Sequence, residues 1–101
     1  MRALESSKFK QYINHKIENY KEQDKVAGRE IKDYVDFDWF ENEFGKHKSC
    51  VHCQNGFEFL VDRDKNISSN MTFDRIDNTI CHSVDNLVLS CLHCNISKIK
   101  Y

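Results

Sequence analysis

Apolar positions near the start of the chain recur at three- and four-residue intervals. Phe9, Tyr12, Ile13, Ile17 and Tyr20 mark one face of a helix over residues 4–25, with charged residues around the rest. Ala27-Gly28 loosely marks its end. A second helix is predicted from Asp38, where Asp38 and Glu41 have capping-box spacing; it buries Phe37, Trp39, Phe40 and Phe44 and stops at Gly45. The turn signal Gln54-Asn55-Gly56 then leads into Phe57-Glu58-Phe59-Leu60-Val61, whose aromatic and branched content predicts a strand. Residues 62–70, charged and serine-rich, read as a flexible loop. Two short strands follow over residues 73–76 and 87–89, separated by a polar loop holding Asn78, His82 and Asp85, and a closing helix is expected over residues 95–100. The whole is an α+β pattern, with helices first and strands later.

Composition sharpens this reading. A chain of 101 residues is one small domain, able to bury only about two thirds of its unfolded surface. Its net charge of -1 is unevenly divided. Residues 1–32 carry eight Lys/Arg against five acids, residues 33–45 five acids and no base, and residues 46–101 seven bases against six acids. No part has the strongly basic balance of an indiscriminate nucleic-acid binder, so any such contact must rest on local patches. Residues 1–8 have no apolar signal core, and no run approaches the roughly 18 apolar residues of a membrane span. An odd count of five cysteines, four of them in metal spacing, points to a reducing, intracellular compartment rather than a disulfide framework.

Those four are Cys50-Val51-His52-Cys53 and Cys91-Leu92-His93-Cys94, two Cys-x-x-Cys pairs separated by 37 residues. The spacing closes a tetrahedral zinc site, and four thiolates leave no open position, so the zinc is expected to be structural. His52 and His93 occupy matching places within the pairs; either could replace a cysteine as ligand, but exposed knuckle tips are the preferred reading. Cys81 is left without a function. Beside this frame stand polar candidate ligands: Thr72-Phe73-Asp74-Arg75-Ile76-Asp77-Asn78 upstream of the second pair and Asn95 directly after it.

Cys50-x-x-Cys53, Phe73-Asp74-Arg75-Ile76-Asp77-Asn78, His82, Asp85-Asn86 and Cys91-x-x-Cys94-Asn95 together resemble the zinc-bound HNH endonucleases of the ββα-metal (His-Me finger) fold. The resemblance spans about residues 37–100. Periodicity leaves a helix and connector over residues 1–36, and the resemblance implies over residues 37–101 an HNH-like domain of the kind stapled by four cysteines. It also implies that Asp74 and Asn95 hold one Mg²⁺ or Mn²⁺, a task suited to hard oxygen ligands that leave room for phosphate and water. Asn95 could alternatively cap the closing helix. Asn86 matches a residue that braces the loop between the strands, or serves as a turn-favouring Asn. Asp77 is a weaker ligand candidate.

One position departs from the family. Where active members carry a histidine after the aspartate, this chain has Arg75, whose guanidinium stays protonated and cannot act as a general base. Arg75 could instead clamp a scissile phosphate. His82 is the candidate substitute base, set against a plain solvent-facing loop histidine, the reading also given to His15 and His47. Lys46, Lys48, Lys98 and Lys100 flank the knuckles and could touch backbone phosphates or simply face water. The leading expectation is an HNH-type endonuclease acting on DNA, with RNA as the alternative substrate. Its rivals are a catalytically impaired zinc module of the same fold that binds nucleic acid or protein, and an assembly factor that forms a homodimer through the stripe of the first helix.

Overall fold

The computed structural model describes residues 6–97. Among them are three helices, α1 (Ser6–Val26), α2 (Phe37–Lys46) and α3 (Leu92–Ser97), and four strands, β1 (Phe59–Val61), β2 (Ile67–Ser69), β3 (Met71–Arg75) and β4 (Leu87–Cys91). The strands form two antiparallel pairs, β1 with β2 and β3 with β4. The architecture is mixed α/β, and no described helix is long and apolar enough to cross a membrane.

The apolar stripe of α1 packs inward. Ile13 and Ile17 join Val35, Phe40 of α2, and Met71, Phe73, Leu87 and Leu89 of the β3–β4 hairpin in one buried cluster. Phe9, Tyr12, Tyr20, Trp39, Phe44 and Phe59 pack around it. Phe40 of α2 stacks on Phe73 with centroids 6.0 Å apart and Tyr20 of α1 stacks on Phe73 at 5.4 Å, so aromatic faces join both helices to the hairpin. The face that suggested a homodimer is thus largely spent on the protein's own core, and α1 shares that core with residues beyond position 37.

Helix ends differ in detail from the sequence pattern. Asp36, not Asp38, caps α2, its carboxylate accepting from the Trp39 N–H at 2.9 Å, while Asp38 lies in the first turn. Gly45 does not stop this helix, which runs one residue further to Lys46. At the end of α1, Gly28 adopts φ +78 while Gly28 N–H bonds Lys25 O and Arg29 N–H bonds Asp24 O at 2.9 Å. These two bonds form a Schellman motif, which glycine permits because it has no Cβ.

Residues 62–70, expected to be a flexible loop, hold β2 instead. Asp62 accepts from the N–H groups of both Asp64 and Asn66 at 2.8 Å, and Lys65 takes φ 70. The resulting tight turn folds β2 back on β1 in the register Phe59↔Ser69. The expected strand over residues 57–61 is correspondingly confined to its last three residues. The β3–β4 hairpin is longer than the apolar pattern suggested, because α3 covers its second face: Met71, Thr72, Phe73 and Asp74 are all buried, and α3 packs on both strands. The closing helix begins at Leu92, three residues earlier than expected.

A buried polar cluster locks α1 to the loop between β3 and β4. Asp24 is fully buried. Its Oδ1 meets Arg29 Nη1 at 2.9 Å, and its Oδ2 accepts from Tyr34 OH at 2.6 Å, from the His82 backbone N–H at 3.0 Å and from His82 Nδ1 at 2.8 Å. Tyr20 stacks on the His82 ring at 4.4 Å. Sequence periodicity gave no reading of Asp24, although Ile13, Ile17, Tyr20 and Asp24 follow one another at helical spacing and a carboxylate in line with an apolar stripe requires partners.

Burial opposes ionisation of Asp24, but the bonds from Tyr34 and His82 outweigh it and bring its pKa down to about 2. For His82, burial dominates over the attraction of Asp24 and lowers its pKa below 6.5. Both shifts act in the same direction. The unfolded chain takes up protons at His82 near pH 6.5, and at Asp24 near 3.8, where the folded chain does not, so acid favours unfolding. Urea-unfolding stability should fall as pH drops from about 7 to about 5, and His82→Gln should flatten that slope relative to the parent protein. Asp24→Asn, which leaves buried partners unmatched, should cost about 3 kcal/mol at pH 7.

Candidate metal centre and the adjoining polar site

The first Cys-x-x-Cys pair lies in a compact turn. Cys50 N–H bonds Asn55 O and Gln54 N–H bonds Cys50 O, both at 2.9 Å, with Gln54 at φ 69. The turn docks on β4 through Val51 N–H to Leu89 O at 3.2 Å. The second pair straddles the junction where β4 ends at Cys91 and α3 carries Cys94 in its first turn. All four sulfurs come within 4.8 Å of one another, and Cys53 Sγ and Cys91 Sγ are 3.8 Å apart. Tetrahedral zinc with bonds of about 2.3 Å separates its sulfur ligands by about 3.8 Å. These four cysteines can therefore hold a zinc ion.

Charge supports the same conclusion. Burial works against the Cys50 thiolate, but the N–H groups of Cys53, Cys91 and His52 more than offset it and lower the pKa to about 6. Cys94, pushed by desolvation and by the neighbouring thiols, rises to about 12. A thiol held neutral beside one that favours the thiolate becomes a second thiolate when a divalent cation supplies positive charge. The N–H groups of His52 and Cys94 point at Cys50 Sγ (3.4 Å) and Cys91 Sγ (3.5 Å) and steady two of the sulfurs.

On one side of this cluster the β3–β4 hairpin presents Thr72 and Asp74, two residues apart and so on the same face. Asn95 of α3 reaches that face, its Nδ2 donating to Thr72 Oγ1 at 3.1 Å, and Thr72 is tied to Ser90 across the hairpin at 3.2 Å. Asp74 is 2 % exposed. Its Oδ2 lies 3.2 Å from His52 Nε2, and both side chains are largely buried. His52 is thus not the exposed knuckle tip expected; docking of the first turn onto β4 carries its ring over the hairpin. His93, at the matching place in the second pair, is exposed as expected. Nothing in the local sequence distinguishes the two histidines, since the difference comes from which surface each pair packs on.

The remaining predicted residues lie elsewhere. Arg75 follows Asp74 and by strand alternation faces the other way. Its Nη1 donates to the carbonyls of Asn78 and Ile80, the latter at 3.3 Å. Burial lowers its pKa, yet a guanidinium stays charged at neutral pH. His82 is not a solvent-facing loop residue but is buried in the Asp24 cluster, on the α1 side of the hairpin. Asn86 braces the loop: its Nδ2 donates to the carbonyls of Asp77, Ile80 and Cys81, and its Oδ1 accepts from Asp77 N–H at 2.8 Å. Asp77 itself is exposed and accepts from Thr79. Cys81 is buried against Lys32 O, and Lys46 and Lys48 are exposed near the end of α2. Lys98 and Lys100 lie outside the described residues.

Compared with known proteins, the chain matches no family model, no curated protein and no solved structure.

The purified protein should contain one zinc per chain by elemental analysis. Cys91→Ser should lose it together with far-ultraviolet helical signal, because most of the folding free energy of a small domain can reside in the metal site, on the order of 10 kcal/mol. Asn86→Ala should cost about 1–3 kcal/mol in urea unfolding without changing zinc content, since it leaves backbone groups of the 77–81 loop unpaired.

Proposed function

We propose that the protein is a metal-dependent endonuclease of the HNH type, in which the β3–β4 hairpin and α3 form a zinc-stapled ββα-metal unit. The observation that carries this reading is the convergence of Asp74 from β3 and Asn95 from α3 on one face of the hairpin, beside the four clustered cysteines. The donor set suits a hard divalent cation: a buried carboxylate, and an amide whose nitrogen donates to Thr72 and whose oxygen is the atom that could ligate a metal. Asp74 and Asn95 would hold Mg²⁺ or Mn²⁺. Once bound, such an ion neutralises charge on a scissile phosphate and stabilises the departing oxygen.

The chain's own contribution is positional. Cys94, one residue before Asn95, would anchor α3 to the zinc, while Thr72 and Ser90 fix the rotamer of the Asn95 amide. Arg75 supplies no base, which in this reading slows hydrolysis by about 10²- to 10⁴-fold relative to an enzyme with one. DNA is the proposed substrate and RNA the alternative, with Lys98 and Lys100 proposed as phosphate contacts.

A second reading is a catalytically impaired zinc module of the same fold that binds nucleic acid or a protein. The observation favouring it is Arg75, which replaces a base and whose guanidinium is taken up by loop carbonyls. Nicking of supercoiled plasmid separates the two. Zinc-loaded protein should nick with added Mg²⁺ or Mn²⁺ and not without, and Asp74→Ala should reduce the rate at least 100-fold with zinc content unchanged. Equal nicking by Asp74→Ala would sink the nuclease assignment, while salt-dependent DNA binding without cleavage would establish the binding module.

A further inference from the structure

We infer that His52 is a third protein ligand of the divalent-cation site formed by Asp74 and Asn95, and that it biases the site away from Mg²⁺ towards Mn²⁺ and Ni²⁺. The inference rests on the nuclease reading only for the existence of that cation site. His52 lies within the first cysteine pair, and no hairpin or helix residue of the site is its sequence neighbour. Three observations bring it there. Its backbone N–H points at Cys50 Sγ at 3.4 Å, so the cysteine cluster fixes its main chain. The adjoining Val51 N–H bonds Leu89 O, which seats the turn on β4. The ring then ends with Nε2 3.2 Å from Asp74 Oδ2, in a largely buried setting.

That separation is informative. Two ligand atoms at right angles on an octahedral ion, each about 2.1 Å from it, are about 3.0 Å apart. The imidazole nitrogen and the carboxylate oxygen therefore already lie close to the spacing of neighbouring ligands on one ion. Ligation needs the lone pair on Nε2, hence the tautomer with its proton on Nδ1. A neutral nitrogen donor adds little for Mg²⁺, which favours oxygen, and adds progressively more along the series from Mn²⁺ to Ni²⁺. An imidazole in this position thus sets metal choice, and it places the metal donor on the same turn that carries two of the zinc ligands.

The alternative is a positioning role, in which Nε2–H merely donates to the Asp74 carboxylate. Electron spin-echo spectroscopy of Mn²⁺ bound to the zinc-loaded full chain distinguishes them, together with Mn²⁺ and Mg²⁺ affinities from calorimetry. The parent protein should show modulation from a directly bound nitrogen. His52→Gln, which can still bond the carboxylate but has no imidazole, should lose that signal. It should also bind Mn²⁺ at least tenfold more weakly while its Mg²⁺ affinity changes less than twofold and its zinc content stays the same. Bound Mn²⁺ without nitrogen modulation, or unchanged Mn²⁺ affinity in His52→Gln, would overturn the inference. Asp74→Asn keeps the two failures apart. If it abolishes Mn²⁺ binding while His52→Gln does not, the cation site stands and the role of His52 falls. If the parent protein binds no Mn²⁺, both fall.

Discussion

The convergence of four cysteine sulfurs within 4.8 Å ties together segments that are 38 positions apart in the chain, and it brings His52 and Asn95 to one face of the β3–β4 hairpin. Cys91 ends β4 and Cys94 sits in the first turn of α3, so the cluster sets the angle at which the helix leaves the hairpin. Cys50 and Cys53 bring in the first turn, which carries His52 over the same hairpin face. A domain of this size has little core to spare. Four clustered thiols, three of them buried, are a weakness without a cation and a strong staple with one.

The two faces of the β3–β4 hairpin carry different physics. Met71, Phe73, Leu87 and Leu89 face α1 and α2 and are buried by the hydrophobic effect, reinforced by stacked aromatic rings. Thr72, Asp74 and Ser90 face α3 and are buried as a hydrogen-bonded polar layer. Polar burial of this kind is tolerated only when its partners are supplied, and here they come from Asn95 and His52, both adjacent to cysteines of the cluster. Strand alternation sends Arg75 the other way, where with Asn86 it braces the 77–81 loop.

A second polar centre does separate work. Asp24 accepts from Arg29, Tyr34 and His82 in the interior, closing the C-terminal end of α1 onto the loop before β4. The Schellman turn at Gly28 matters here, because it reverses the chain tightly enough to return Arg29 to the carboxylate five residues earlier. His82 is consequently a structural residue in its contacts, shielded by Tyr20 and set on the α1 side of the hairpin.

Features written at short range were legible before any fold was known. The 3.6-residue periodicity marked α1 and the aromatic cluster marked α2, while two Cys-x-x-Cys pairs marked a metal site whose sulfurs do converge. Alternation along β3 was enough to set Asp74 and Arg75 on opposite faces. Which surface each short segment met depended on how the chain folded back on itself. That folding made residues 67–69 a strand, since a polar run pairs once an Asx turn at Asp62 returns it to β1. It buried Asp24 and His82 against each other, and it separated His52 from His93 although both occupy the same place in their motifs. Periodicity and motif spacing record local geometry, whereas the Asp24–His82 and His52–Asp74 contacts join residues 58 and 22 positions apart, for which no local pattern exists.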